Sequence, residues 1–205
     1  MASLKKNNYP AVVRDEEGLA GLRARGVTRA LTVWPEWAMA GVKLRKFHDG
    51  VENRPRPFPK AMQGRRIAIH AGRFVGGRAA GYHEGVAAVL STACSSGWKM
   101  YRPAENTFVF RRGAPIGLVD GELVYEGSQD GDVKVLLPDD IVTSAIVMTA
   151  VLDHIIEPTE KPTRPWMVAS RQTDIDGPSF GWAFSGIETL EKPIACPGMQ
   201  GIWTL

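Results

Sequence analysis

Glu52 and Arg54, in the stretch VENRPRPFPK (51–60), are spaced for joint chemistry. Two residues apart on an extended chain, they share a face. The carboxylate can accept from an exocyclic amine, and the guanidinium can donate a fork to a carbonyl or a phosphate. The same pair can also close on itself as an ion pair that orders the loop. Asn53 faces the other way and supports the turn. Pro55, Pro57 and Pro59 lack the N–H that a strand ladder needs, so 55–60 reads as an extended loop at the surface or a sheet edge.

Other chemistry-bearing residues surround this pair. Trp34 and Trp37 lie three apart on a short predicted helix, where an indole either stacks on an unpaired base or packs in the core. Lys43, Arg45 and Lys46 follow that helix, and Arg56, Lys60, Arg65 and Arg66 follow the Glu-x-Arg pair. Each suits a phosphate contact or a solvated turn. His70 ends a predicted strand as a satisfied barrel histidine, a base, or a donor to substrate. His48, Asp49 and Glu52 have no recognised metal spacing, and His83-Glu84 lacks the second histidine of a zinc protease. GRFVGGRAAG (72–81) matches neither a Walker loop nor a dinucleotide fingerprint. Beside Arg73 and Arg78 its glycines either let a phosphate approach the backbone or serve as a linker. No nucleophile elbow occurs. Neither a cofactor nor a metal is expected.

Charge is divided along the chain. From Lys43 to Arg78 ten basic residues meet two acids, and from Ile116 to Glu160 ten acids meet one lysine. The basic stretch suits a polyanion, of which nucleic acid is the commonest. Alternatively the two halves attract each other, or the acidic half docks a basic protein. With 44% apolar and 23% charged residues the 205-residue chain suits a soluble domain with a real core. Its longest apolar runs are too short for a membrane helix and no secretory signal opens it, so a cytoplasmic protein with no membrane partner is expected. Two lone cysteines, Cys94 and Cys196, provide neither a zinc pattern nor a disulfide framework.

The elements that must position these residues can be read in order. RDEEGLAGLRARG places acids first and arginines last, a short helix closed by Gly26. Residues 28–33 read as a strand, and Pro35 opens a helix to about Val42. VENR and 65–71 read as strands, and 79–95 as a helix. NTFVF and PIGLVDGELVYEG follow, with a hairpin turn at Asp120-Gly121; GDVKVLL extends the same local sheet. The Val/Ile/Thr density of 140–156 predicts a strand, and 157–166 a loop. GWAF and GIWTL predict two strands joined by LEKPIACPGMQ. Short strands, few helices and Gly/Pro punctuation point to a mixed, β-rich α+β fold: a small, partly open barrel with helices at its ends. Residues 1–14 read as a polar arm. Residues 15–205 read as one domain, with an inserted helix and hairpin at about 75–140.

ALTVWPEWA, GVENRPRP, GRRIAIHAG and FGWAFSGIETLEKPIACPGMQGIWTL, in that order, resemble the ASCH domain of the PUA-like superfamily. The matching blocks, 29–72, 143–157 and 178–205, cover about half of the chain. The resemblance implies a small β-barrel with a cleft formed by the first helix, the strand carrying Glu-x-Arg and neighbouring loops. It also implies a ligand, RNA or single-stranded or modified DNA, read as an unpaired, flipped or modified base. Some ASCH domains are hydrolases, either amidohydrolases on acetylated cytidine or ribonucleases. In an enzyme of this kind Glu52 would be the acid or base. The family pattern Gly-Lys-x-x-Glu-x-Arg places a lysine three residues before the glutamate. Here that position is Asp49, and Lys46 or Lys43 is the residue that could take the lysine's place.

Overall fold

The computed structural model describes residues 12–73, 80–95, 98–112, 115–119, 122–125, 133–136, 139–161, 164–167 and 179–205. Most of the polar arm, the centre of the glycine-rich 72–81 stretch, the side chains of His83 and Glu84, and the Asp120-Gly121 turn lie outside the described residues.

Helix α1 (Glu16–Ala24) begins where Asp15 accepts a hydrogen bond from the Gly18 amide at 2.9 Å, and it buries Leu19 and Leu22. Strand β1 (Arg29–Val33) leads to α2 (Pro35–Lys43). Trp34 is extended at φ −64°, ψ 144°, as a residue before proline prefers. Arg45, in the left-handed region at φ 55°, then turns the chain into one further helical turn, α3 (Lys46–Asp49). The sequence reading contained no helix there. Strand β2 (Val51–Arg54) follows, then a 3-10 turn at Lys60–Met62 and β3 (Arg66–Ala71).

The middle of the chain forms α4 (Ala80–Ser95), β4 (Trp98–Ala104), β5 (Thr107–Arg112), a hairpin of β6 (Pro115–Val119) and β7 (Glu122–Tyr125), and β8 (Val133–Leu136). The sequence reading did not include β4. Strand β8 pairs with β5, giving a three-stranded sheet β4-β5-β8, and β6 and β7 form a two-stranded hairpin of their own. α4 and this sheet share a core with α2 through Met39, Leu44, Val89, Trp98, Phe110 and Val135.

β9 (Ala145–Ile156), β10 (Phe180–Ala195) and β11 (Ile202–Thr204) complete a six-stranded sheet in the order β11-β1-β3-β9-β10-β2. β1 and β3 are parallel and the other pairs antiparallel. The fold is mixed and β-rich, with this sheet strongly curled into a half-barrel and few helices around it. β9 is buried on both faces from Ala145 to Ala150, which explains its unbroken apolar run. One expectation is corrected: LEKPIA does not leave the sheet. β10 continues through it for 16 residues because its register slips at three points, and Pro193 falls in the interval between Thr189 and Ile194 where the ladder to β9 is interrupted.

Side-chain alternation along β1 and β3 separates two faces. Leu31, Val33, Ile67 and Ile69 join Phe47, Trp182 and Phe184 inside the curl. Ala30 and Ala68 face Leu19 and Leu22 of α1, with Trp203 and Cys196.

Candidate functional site

Glu52 and Arg54 do share a face, and the structure brings Lys46 to them. Lys46 Nζ donates to Glu52 Oε2 at 2.5 Å and to the Val51 carbonyl at 2.8 Å. Arg54 Nη2 lies 3.2 Å from Glu52 Oε1 and donates to the Thr32 carbonyl at 2.7 Å. Lys46 is fully buried, Glu52 is 8% exposed, and the Arg54 side chain is 23% exposed. β2 is one edge of the sheet and β1 lies next to the other, so Arg54 ties the two ends of the curl together.

The α3 turn explains how a lysine six residues before the glutamate reaches it. Between Lys46 and Asp49 the chain advances only about 1.5 Å per residue, which folds Lys46 back over β2. Its ammonium also lies 4.4 Å from the Phe47 ring centroid and 5.5 Å from that of Trp37. Lys43, the other candidate for this place, instead pairs with Asp140 at 2.9 Å. That contact is one point where the basic and acidic stretches attract each other.

Burial alone would raise the Glu52 carboxyl, but Lys46 and then Arg54 hold it below the ordinary carboxylate range. Burial lowers the Lys46 ammonium, and Glu52 opposes this. A second carboxyl lies within the reach of these charges. Glu36, on the first turn of α2, is 2% exposed. Burial pushes it up to about 7; its own backbone amide opposes the rise and the charge on Glu52 adds to it. Glu36 Oε2 has no hydrogen-bond partner among the described residues, and α4 crosses so closely that a Cβ on Gly85 would overlap Oε1. The sequence reading missed Glu36 because an acid just after a helix-opening proline is ordinary for the helix dipole. It also missed Trp166, which is buried at φ 63°, meets Trp37 edge-on at 6.3 Å and accepts from Asn53 Nδ2 through its carbonyl.

The remaining predicted residues are placed variously. Trp37 is half-buried against the α2–α4 core, whereas Trp34 is 58% exposed. Arg66 is engaged structurally, donating to Thr149 Oγ1 and to the Gly186 carbonyl and pairing with Glu188 at 3.1 Å. Arg65 precedes β3, Arg66 opens it and Arg73 follows its end, so about 16 Å of strand lies between them. Arg56 and Lys60 are exposed, and Arg45 is half-buried at the α2–α3 turn.

His70 is a satisfied barrel histidine. Its Nε2 meets the Cys196 carbonyl at 3.1 Å and so carries the proton, because a carbonyl can only accept. Nδ1 then accepts from Thr32 Oγ1 at 3.2 Å, and Thr32 in turn accepts from Trp203 Nε1 at 2.9 Å. Burial keeps the imidazole below its ordinary value; the Cys196 carbonyl opposes and Arg73 adds to the lowering. Beside this chain lies a hollow of about 530 Å³, lined by Thr32, Trp34, His70, Arg73, Ser144 and residues 197–200. Glu52 and Arg54 are not in its described wall; Thr32 connects the two places, with its carbonyl on Arg54 and its side chain on the hollow.

Among the described residues no helix is long and apolar enough to cross a membrane. No protein-family model matches the chain, and no curated protein matches it.

Proposed function

We propose that the chain is an ASCH-like nucleic-acid-binding domain that recognises an unpaired, flipped or modified base at the edge of its curled sheet. The observation that supports this most is the convergence of Lys46, Glu52 and Arg54. The residue types of the family's Lys, Glu and Arg meet here even though Asp49 occupies the lysine's usual position. Both oxygens of Glu52 are engaged, so the residue that faces the ligand is Arg54, the most exposed of the three. Its side chain is 23% exposed, so the guanidinium can still offer donors to a base carbonyl or a phosphate. Glu52 orients it. Extruding a base costs a few kcal/mol, least where the base is already unpaired or modified, which favours such ligands. Filter binding of single-stranded RNA, single-stranded DNA and duplex at two salt concentrations tests the reading. Preference for a single strand, with at least a fivefold loss in Arg54→Ala, is expected. Equal weakness for all three, without a salt dependence, overturns it.

The Lys46–Glu52 contact, with the buried Glu36 carboxyl close enough to feel the charge on Glu52, favours a second reading on the same scaffold. In it the chain is a hydrolase of an acylated nucleoside or of RNA, and the Glu36 carboxyl, pushed up to about 7, moves the proton while Glu52 holds Lys46. Release of acetate from acetylated cytidine, lost in Glu36→Gln as well as in Glu52→Gln, supports this reading. Absence of any product at high enzyme concentration overturns it.

A further inference from the structure

The hollow beside His70 is built differently from the Glu52 cluster and lies on the other side of Thr32. Its floor is rigid. The Gly198 backbone lies so close to the His70 ring that a Cβ there would overlap it, and the ring is held from both nitrogens by Thr32 and Cys196 and edge-on by Trp203 at 5.6 Å. Its rim is apolar and open. Among the described residues four large apolar side chains are strongly exposed, and two of them, Trp34 at 58% and Met199 at 66%, line this one hollow. Arg73, anchored by its Nε to Ser144 Oγ at 3.1 Å, lines it, and no Asp or Glu appears among the described residues of the wall. A volume of about 530 Å³ falls within the range of small-ligand sites.

We propose that this hollow is a second binding site, for a nucleobase bearing a phosphate, with the base stacked on Trp34 and covered by Met199 and the phosphate held at Arg73. An indole and a thioether are both favourable partners for a flat π-face. Placing them at the rim of a recess that the Arg73 guanidinium also lines suits an aromatic ring that bears an anionic group. The ligand is either a free nucleotide or one unit of a single strand, and the two share this chemistry. The site stands whether or not Arg54 reads a base.

The test titrates the whole chain with adenosine 5′-monophosphate, adenosine, inorganic phosphate and a ten-nucleotide single strand, by calorimetry. Trp34→Ala and Met199→Ala are the variants for stacking; both side chains are exposed, so circular dichroism should be unchanged. Arg73→Gln is the variant for charge. Tighter binding of the monophosphate than of adenosine or phosphate, weakened at least about fivefold in Trp34→Ala, supports a free nucleotide. Arg73→Gln is expected to erase the preference for monophosphate over nucleoside, an effect that a merely structural role for Arg73 would not produce. Binding of the strand alone, with the same dependence on Trp34 and Arg73, supports a strand as the source. No binding of either, or binding indifferent to Trp34 and Arg73, overturns the proposal. Arg54→Ala separates the two sites: a strand that depends on Arg54 but not on Trp34 or Arg73 sinks the hollow and leaves the preceding reading intact, and the reverse pattern does the opposite.

Discussion

Lys46 and Glu52 form an ion pair across the junction of α3 and β2, and both are nearly cut off from water. Removing one member strands the other in a place where solvent cannot compensate. Lys46→Met is expected to cost about 3–5 kcal/mol of stability, read from urea unfolding. The double change Lys46→Met, Glu52→Met is expected to cost much less than the sum of the two single changes, because it leaves no buried carboxylate without its ammonium. A loss below about 1 kcal/mol in Lys46→Met would show that water reaches the carboxylate.

Glu36 gives the stability a pH dependence of known sign. Its folded value of about 7 lies above the ordinary 4.5, so between these the folded chain holds a proton that the unfolded chain has released. Its contribution is therefore full below about pH 4.5 and is lost as pH rises through 7. Glu36→Gln keeps the shape without the titration. The stability of this variant relative to the parent is expected to rise between pH 5 and pH 7 and to level off above that, measured by denaturant unfolding at each pH. A difference that stays constant would mean that the carboxyl titrates normally.

His70 acts with the opposite sign. Its value in the fold is lowered by burial, so its contribution is present above pH 6.5 and is lost as pH falls below that. Protonation would also place a donor on Nδ1 against Thr32. Nitrogen-15 NMR of the imidazole at pH 7.5 is expected to show a neutral ring with the proton on Nε2, and the ring is expected to titrate below the ordinary 6.5. A charged ring, or the Nδ1 tautomer, would contradict the assignment of these hydrogen bonds.

Gly50 joins α3 to β2 and so sets the distance from Lys46 to Glu52. A Cβ there would overlap the Pro165 carbonyl and press on the buried Trp166, neither of which is the free end of a side chain. Gly50→Ala is expected to destabilise by about 1–3 kcal/mol, seen as a lowered thermal midpoint. An unchanged midpoint would mean that the 164–167 segment gives way without cost.

Much of the frame was legible in the chain because it rests on local rules. Asp15, Pro35 and Gly26 mark helix ends through hydrogen bonds and dihedral limits that act within a few residues. The run 145–150 declares a doubly covered strand. LEKPIA was not legible, since three slips of register against β9 keep a proline-bearing segment in the sheet. Nor was α3, a four-residue turn carrying no periodic signal.

The same division holds for the candidate site. The sequence by itself determined that Glu52 and Arg54 share a face, because alternation along a strand is a property of two residues and the bonds between them. Which lysine meets them, that Arg54 ties β2 to Thr32, that Glu36 is buried beside them, and that Trp34 and Met199 flank a separate hollow were decided only by the tertiary structure. Each of these depends on parts of the chain far apart in sequence being brought together by the curl of the sheet, and burial and proximity of that kind have no local signature.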